Sequence, residues 1–140
     1  MKICDPILLI EDDPLDIMTL QRGFRDINAK NPISVCYNGE EALDFLSQPS
    51  NPTPALIISD LHMPRMNGLE FLKIVKSSPE WCKIPVVILT TSQEDEDRLT
   101  GFQLSVAGYF VKPFKYINFV EKLQIIYQYW CLNEVSSFIT

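Results

Sequence analysis

Short apolar runs alternate along the chain with longer segments in which apolar residues recur at helical spacing. The runs cover residues 7–10, 33–36, 55–58, 86–89 and 109–111. Because most of these runs are continuous and do not alternate with polar residues, they are typical of strands buried on both faces of a parallel sheet. The first intervening segment has an apolar stripe at Ile17, Leu20, Phe24 and Ile27. This order predicts five repeats of a strand followed by a helix.

The placement of proline supports this division, because proline lacks the amide donor and disrupts the interior of helices and strands. All ten prolines fall at the ends of the predicted elements or in the connections between them. Three of them lie within residues 49–54, which predicts a loop there. The five strand–helix units fill the 140 residues. We therefore expect a single doubly wound α/β domain.

The amino-acid composition of the chain disfavours several classes of function. Acidic residues outnumber basic ones by 18 to 12, which gives a formal net charge of −6. This balance disfavours direct nucleic-acid binding, which normally needs a concentrated positive surface. No stretch approaches the roughly 20 apolar residues that span a bilayer. The four cysteines form neither a zinc pattern nor a compact disulfide framework, so we expect free thiols in a cytoplasmic protein.

Polar and charged residues follow four of the five predicted strands. In an open parallel sheet, ligands bind beyond the carboxyl ends of the strands, where the strand order reverses. Taken singly, such residues are often helix caps or solvated turn residues. Their occurrence at four strand ends predicts one shared site instead. The residues are Glu11 and Asp12 after the first strand, Asp60 after the third, Thr90 at the fourth and Lys112 after the fifth.

The chemistry of this set is that of phosphoryl transfer. Clustered carboxylates repel one another and need a nearby cation, and oxygen ligands that leave room for water suit Mg²⁺. A lysine and a threonine hydroxyl beside such an ion can stabilise a transferring phosphoryl group. Asp60 is then the expected nucleophile, through an aspartyl phosphate.

The sequence resembles the receiver domain of bacterial two-component response regulators. The segments that carry the resemblance are residues 8–13, 56–68, 84–90 and 108–114. The intervals of 30 residues from Asp60 to Thr90 and of 22 from Thr90 to Lys112 match the family spacing. The resemblance covers about residues 5–130. It implies a CheY-like (flavodoxin-like) sheet of five parallel strands in the order 2-1-3-4-5, with five helices.

For the site, the resemblance implies that Asp60 accepts a phosphoryl group from a phosphohistidine of a sensor histidine kinase. Thr90 and Lys112 would contact that group, and Tyr109 would swing inward as Thr90 moves. The Lys112–Pro113 bond is often cis in the family. Such a protein is a signalling switch and not an enzyme, because it catalyses only its own phosphorylation and dephosphorylation. The implied ligands of Mg²⁺, for which Mn²⁺ or Ca²⁺ could substitute, are Glu11, Asp12, Asp60 and the backbone carbonyl of His62.

Within the family, the chain is most similar to single-domain regulators that accompany bacterial phytochromes. The features that carry this narrower resemblance are residues 49–54, 79–81 and 127–130. We therefore expect a bacteriophytochrome as the kinase. The downstream protein is unidentified from the sequence.

The last predicted helix begins near Tyr116 and carries apolar residues around most of its circumference, whereas a surface helix normally has one apolar stripe. We expect a receiver domain over residues 1–130, a C-terminal extension over residues 131–140 and no output domain. The surplus of apolar residues predicts a homodimer through the fourth and fifth helices and the extension. The alternative is a buried last helix with a few exposed aromatic residues. The apolar residues of the extension are Val135, Phe138 and Ile139.

Three other protein classes fit less well. A flavodoxin would have a phosphate-binding loop of Ser, Thr and Gly where this chain has Glu11 and two aspartates. A dehalogenase-type phosphatase would have a second aspartate two residues after its nucleophile, where His62 stands. A dinucleotide-binding enzyme would need a glycine-rich turn. The alternative that stays open is a receiver-fold interaction module that works without phosphorylation.

Overall fold

The computed structural model describes residues 1–133, in which five strands alternate with five helices. The strands are β1 (Ile7–Ile10), β2 (Ile33–Cys36), β3 (Leu56–Ser59), β4 (Val86–Thr90) and β5 (Gly108–Val111). The helices are α1 (Pro14–Asp26), α2 (Gly39–Ser47), α3 (Gly68–Ser77), α4 (Asp95–Gln103) and α5 (Tyr116–Leu132). The strands are all parallel and lie in the order β2-β1-β3-β4-β5. The predicted doubly wound fold and its strand order are confirmed.

The two faces of the sheet carry separate hydrophobic clusters, because successive side chains of a strand point to opposite faces. In β1, Ile7 and Leu9 pack with α1 and α5, whereas Leu8 and Ile10 pack with α2 and α3. The central strands β1, β3 and β4 are buried along their whole length, which explains their continuous apolar runs. The edge strands β2 and β5 are mostly half-buried.

Helix α5 has both a core stripe and an exposed apolar surface, and the homodimer predicted from its sequence stays a prediction. The buried residues are Phe119, Leu123, Ile126 and Trp130. The exposed apolar residues are Ile117, Ile125, Tyr129 and Leu132. The helix ends at Leu132, so the predicted domain boundary at residue 130 falls within its last turn. The residues expected to extend a dimer contact, Val135, Phe138 and Ile139, lie outside the described residues.

No helix within residues 1–133 is both long enough and apolar enough to cross a membrane.

Candidate functional site

The carboxyl ends of β1 and β3 bring three acidic side chains together. These strands are neighbours, with Ile10 paired to Ser59, and the Asp60 amide donates to the Ile10 carbonyl at 2.9 Å. The chain beyond each strand therefore carries Glu11, Asp12 and Asp60 to the same edge. One carboxylate oxygen of each of these three residues, here called the acidic cluster, lies within 4.8 Å of the other two. This oxygen-only set suits a hard divalent cation such as Mg²⁺.

Lys112 brings a buried positive charge to the acidic cluster. Its side chain is 9% exposed, and its Nζ donates to Glu11 Oε2 at 2.8 Å and to Asp16 Oδ2 at 3.3 Å. The same nitrogen lies 3.7 Å from Asp60 Oδ2, which is too long for a direct hydrogen bond. The Lys112 amide donates to the Thr90 carbonyl at 2.7 Å, which fixes the backbone. A charged group added to Asp60 would therefore lie within reach of the ammonium.

The pKa values of the Lys112–Glu11 pair reflect its burial. Burial raises the pKa of Glu11 to about 7, and the hydrogen bond from Lys112 only partly opposes that rise. Burial favours a lower pKa for Lys112, but its hydrogen bond to Glu11 and the charge of Asp60 outweigh burial, so its pKa is raised. Lys112 thus keeps its charge. A second cation nearby would stabilise the charged form of Glu11.

The loop after Asp60 is held by backbone contacts. The Leu61 amide donates to Asp60 Oδ1 at 2.7 Å, and the Gly68 amide donates to the Leu61 carbonyl at 2.8 Å. A Cβ on Gly68 would lie 2.3 Å from the Asp60 carbonyl oxygen, so only glycine fits without a backbone shift. The exposed His62 belongs to this loop, and its Nε2 lies 3.7 Å from Asp97 Oδ2. Its imidazole is not among the side chains grouped with Asp60.

Thr90 and Tyr109 both contact Ser92, in the connection between β4 and α4. Thr90 is fully buried, and its Oγ1 accepts a hydrogen bond from the Ser92 amide at 3.3 Å. The half-buried Tyr109 donates its hydroxyl to the Ser92 carbonyl at 3.2 Å. The Ser92 hydroxyl in turn donates to Asp97 Oδ2 at 2.7 Å. A movement of Thr90 would therefore disturb the contact that holds Tyr109.

A cavity of about 550 Å³ opens beside Lys112, between α1 and the start of α5. The Lys112–Pro113 bond at this cavity is trans, as are the other peptide bonds of residues 1–133, and it thus differs from the cis form often found in the resembled family. The trans form of an X–Pro bond is the lower in energy by about 0.5–1 kcal/mol and needs no special support. The polar residues of the lining include Asp16, Thr19, Arg22, Thr91 and Lys112.

Two residues that contact the site residues were not predicted from the sequence to do so. Asp16 lies in the first turn of α1, where an acid is favoured by the helix dipole without any ligand. The sequence feature that could have identified Asp16 as a neighbour of the site is its position one helical turn after the acidic pair at the end of β1. Ser92 follows Thr90 by two residues, and the sequence alone indicates only a helix cap. Neither sequence position identifies the distant partner, because Lys112 and Tyr109 are brought to Asp16 and Ser92 only by the fold.

Residues 7–124 match the family described as the response regulator receiver domain. The matched residues include the acidic cluster, Thr90, Tyr109 and Lys112. The response regulator Rcp1 of Synechocystis sp. is 31% identical over 128 residues, which cover 89% of this chain and 87% of Rcp1.

Solved structures of similar proteins have the same fold. The phosphorylated cyanobacterial phytochrome response regulator RcpA superposes with a TM-score of 0.87 at 28% identity and covers 96% of this chain and 99% of its own. For the Mn²⁺-bound form of Rcp1 the TM-score is 0.87 at 29% identity, with coverage of 95% and 99%. For the bacteriophytochrome response regulator RtBRR it is 0.75 at 36% identity, with coverage of 96% and 85%. These relatives thus include a phosphorylated form and a form with a divalent metal ion.

Proposed function

The chain belongs to the response regulator receiver domain family, and we propose that it is a phosphorelay switch in which Asp60 accepts a phosphoryl group from a sensor histidine kinase. Receiver domains are signalling switches and not classical enzymes, and their partner is a phosphodonor kinase. The observation that carries the proposal is the grouping of the acidic cluster with Lys112, whose Nζ lies 3.7 Å from Asp60 Oδ2. A nucleophile, a cation site and a fixed ammonium are the parts that phosphoryl transfer uses.

In the proposed reaction, a carboxylate oxygen of Asp60 attacks the phosphorus atom of a phosphohistidine. The O–P bond forms as the N–P bond breaks, and the electron pair of the N–P bond returns to the imidazole, which takes up a proton from water. Lys112 supplies a positive charge beside the transferred group. Thr90 supplies a hydroxyl donor at the end of β4. Both side chains are attached to backbone that the sheet holds in place before transfer, so little reorganisation is required.

The proposed cofactor is Mg²⁺, for which Mn²⁺ or Ca²⁺ could substitute. Receiver domains bind Mg²⁺ or Mn²⁺ at an acidic site, and the Mn²⁺-bound form of Rcp1 is an example among the relatives. When bound, the ion neutralises charge on the phosphoryl oxygens. An oxygen-only donor set supports this choice over zinc or copper. The residues that would hold the ion are Glu11, Asp12, Asp60 and the backbone carbonyl of His62.

The proposed switch connects Thr90 to Tyr109 through Ser92. The Thr90 hydroxyl would turn to donate to the phosphoryl oxygens, and its Oγ1 would then give up the hydrogen bond from the Ser92 amide, now 3.3 Å long. A shift of the Ser92 backbone would weaken the bond between the Ser92 carbonyl and the Tyr109 hydroxyl, now 3.2 Å long. Tyr109 would then be free to move inward. Phosphorylation would thus shift the populations of two arrangements near α4 and β5.

We propose a bacteriophytochrome as the kinase, because RcpA and RtBRR are response regulators of phytochromes. A cytoplasmic location goes with this proposal and agrees with four free thiols among the described residues. We also propose a homodimer through α4, α5 and the C-terminal extension, of which residues 134–140 lie outside the described residues. Its support is the exposure of large apolar side chains on both helices, including Leu99, Phe102, Ile125 and Tyr129.

The proposal is tested by incubating the protein with phosphoramidate and Mg²⁺ and measuring its intact mass. We expect a gain of one phosphoryl group in the wild type, none without Mg²⁺, and none in Asp60→Asn. Light scattering of the same samples at micromolar concentration should detect the dimer. A monomer with and without phosphorylation would contradict the dimer alone.

The alternative is an interaction module of receiver fold that works without phosphorylation. It would be favoured if neither phosphoramidate nor a cognate kinase modified the wild-type protein. The family match and the retained site residues do not favour it.

A further inference from the structure

Asp16 is an additional carboxylate on the ammonium of Lys112, from a helix that contributes nothing else to the proposed chemistry. Its Oδ2 lies 3.3 Å from Lys112 Nζ. The ammonium thereby has one hydrogen-bond acceptor on the β1 side, Glu11, and a second on α1, Asp16, while Asp60 Oδ2 stays at 3.7 Å. Because an ammonium has three N–H donors, two are occupied before any phosphoryl group arrives.

The position of Asp16 could serve α1 alone, since it is the third residue of the helix after the cap Asp13. A carboxylate at this position often accepts a hydrogen bond from the backbone amide of the capping residue. Here the Asp13 amide donates instead to Glu11 Oε1 at 3.2 Å. The carboxylate of Asp16 is thus directed to Lys112, 96 residues away in the sequence.

We infer that Asp16 is a positioning residue that restrains Lys112 on the α1 side and competes with the phosphoryl group for its ammonium. The inference rests on the proposed function of Asp60. Two effects act in the same direction. Asp16 offers Lys112 an alternative partner, and its negative charge repels a phosphoryl group on Asp60. Removing this charge should therefore favour the phosphorylated form.

The expected effect of removing the Asp16 charge is small because the contact between Asp16 and Lys112 is partly exposed. The Asp16 side chain is 40% exposed, so solvent screens its attraction for Lys112 more than that of the buried Glu11. Measured partly exposed ion pairs correspond to changes of roughly two- to fivefold in an equilibrium constant. We expect a change of this order and not a loss of function.

The decisive variant is Asp16→Asn, which keeps the shape of the side chain and removes its charge. In the presence of Mg²⁺, we expect it to bind beryllium trifluoride, a non-transferable mimic of the acyl phosphate, roughly two- to fivefold more tightly than the wild type. Asp16→Glu keeps the charge and should stay within about twofold of the wild type. Glu40→Gln is the matched control, because Glu40 also lies in the first turn of a helix, α2, and forms an exposed ion pair with Arg65 at 3.8 Å, away from Lys112.

A readout without metal or phosphate separates this role from a general effect on α1. In a crystal structure of metal-free Asp16→Asn, we expect Lys112 Nζ to lie closer to Asp60 Oδ2 than the present 3.7 Å. A merely structural role of Asp16 would lower the melting temperature and leave both this distance and the affinity unchanged.

The outcomes distinguish this inference from the proposed function. Unchanged or weaker binding by Asp16→Asn, with normal binding by the wild type, overturns the competition and leaves the function of Asp60 standing. The same gain in Glu40→Gln also overturns it, because the effect would then be one of net charge. Failure of the wild type to bind the mimic or to be phosphorylated would overturn the proposed function itself.

Discussion

Along the edge of the sheet where the strands end, the elements that follow β1 and β3 are anchored differently from those that follow β4. At the β1–β3 end, both following helices have side-chain caps: Asp13 accepts a backbone hydrogen bond at the start of α1, and Asn67 and Glu70 form a reciprocal capping box at the start of α3. At the β4 end, α4 begins after Glu94 without a side-chain cap, and its one buried residue is Gly101. The acidic cluster thus sits on firmly held elements, whereas α4 is held by few buried contacts.

The difference matches the two tasks of a switch. A site that binds a cation and a phosphoryl group benefits from geometry that is set before the ligand arrives. An element that reports the ligand must instead have alternative arrangements of similar energy, and such elements come from the less stable parts of a fold. We therefore expect substitutions at the β1–β3 end to affect stability more than matched substitutions at the α4 end.

Two glycines offer the largest test of this comparison. An alanine Cβ at position 68 would lie 2.3 Å from the Asp60 carbonyl oxygen, and backbone atoms cannot yield cheaply. We expect Gly68→Ala to lower the free energy of unfolding by roughly 1–3 kcal/mol. The nearest atom to a Cβ at position 101 is Tyr109 Cδ2, at an ordinary 3.5 Å. Because alanine is the better helix former, Gly101→Ala should raise the free energy of unfolding by up to about 1 kcal/mol.

Urea unfolding of the two variants and the wild type measures both effects. Changes of opposite sign in the free energy of unfolding of the two variants would support the contrast between the two ends. A neutral Gly68→Ala would contradict it, because the loop after Asp60 would then be free to shift.

The helix caps give a smaller test. The Asn67 side chain accepts from the Glu70 amide at 2.9 Å, so Asn67→Ala should lower the free energy of unfolding by about 1 kcal/mol. Glu94 occupies the same position of α4 without such a bond, so Glu94→Ala should change it by less than about 0.5 kcal/mol. Thermal unfolding followed by circular dichroism compares the two. Equal losses would show that α4 is capped in solution as firmly as α3.

The sequence predicts the β1–β3 end well, because that end depends on backbone topology. Continuous apolar runs predict parallel strands, and the carboxyl ends of parallel strands meet at one edge. Acids placed directly after β1 and β3 must therefore lie close together. The same argument brings Thr90 and Lys112 to this edge. The metal ligands and the phosphoryl acceptor stay predictions, since their roles are chemical and not geometric.

The contacts around the site could not be predicted in this way, because they depend on side-chain choices among several partners. A first-turn acid such as Asp16 can interact with its own helix or with a distant cation, and only the folded arrangement, in which Asp16 lies 3.3 Å from Lys112, selects that partner. The hydroxyl of Tyr109 reaches Ser92 by the packing of β5 beside the β4–α4 connection. In α5, apolar residues lie on both sides of the helix, so the sequence does not indicate which of them face the core. The structure selects the stripe that includes Phe119 and Leu123.

Removing the Tyr109 hydroxyl has a modest expected effect on stability and addresses the α4 end alone. Tyr109→Phe deletes the hydrogen bond to the Ser92 carbonyl, so we expect the free energy of unfolding to fall by only about 0.5–1.5 kcal/mol. The local effect should be larger than the global one, because this bond joins β5 to a loop whose other side-chain hydrogen bonds are to residues close to it in the sequence. Amide hydrogen exchange at Ser92, whose N–H donates to Thr90 Oγ1, should therefore accelerate.

Tyr37→Phe is the control for the Tyr109→Phe variant, since Tyr37 is exposed and lies far along the chain, before α2. If Ser92 exchanged equally fast in both variants, the loop would be held by contacts other than Tyr109, and the proposed path from Thr90 to Tyr109 would lose its connecting step.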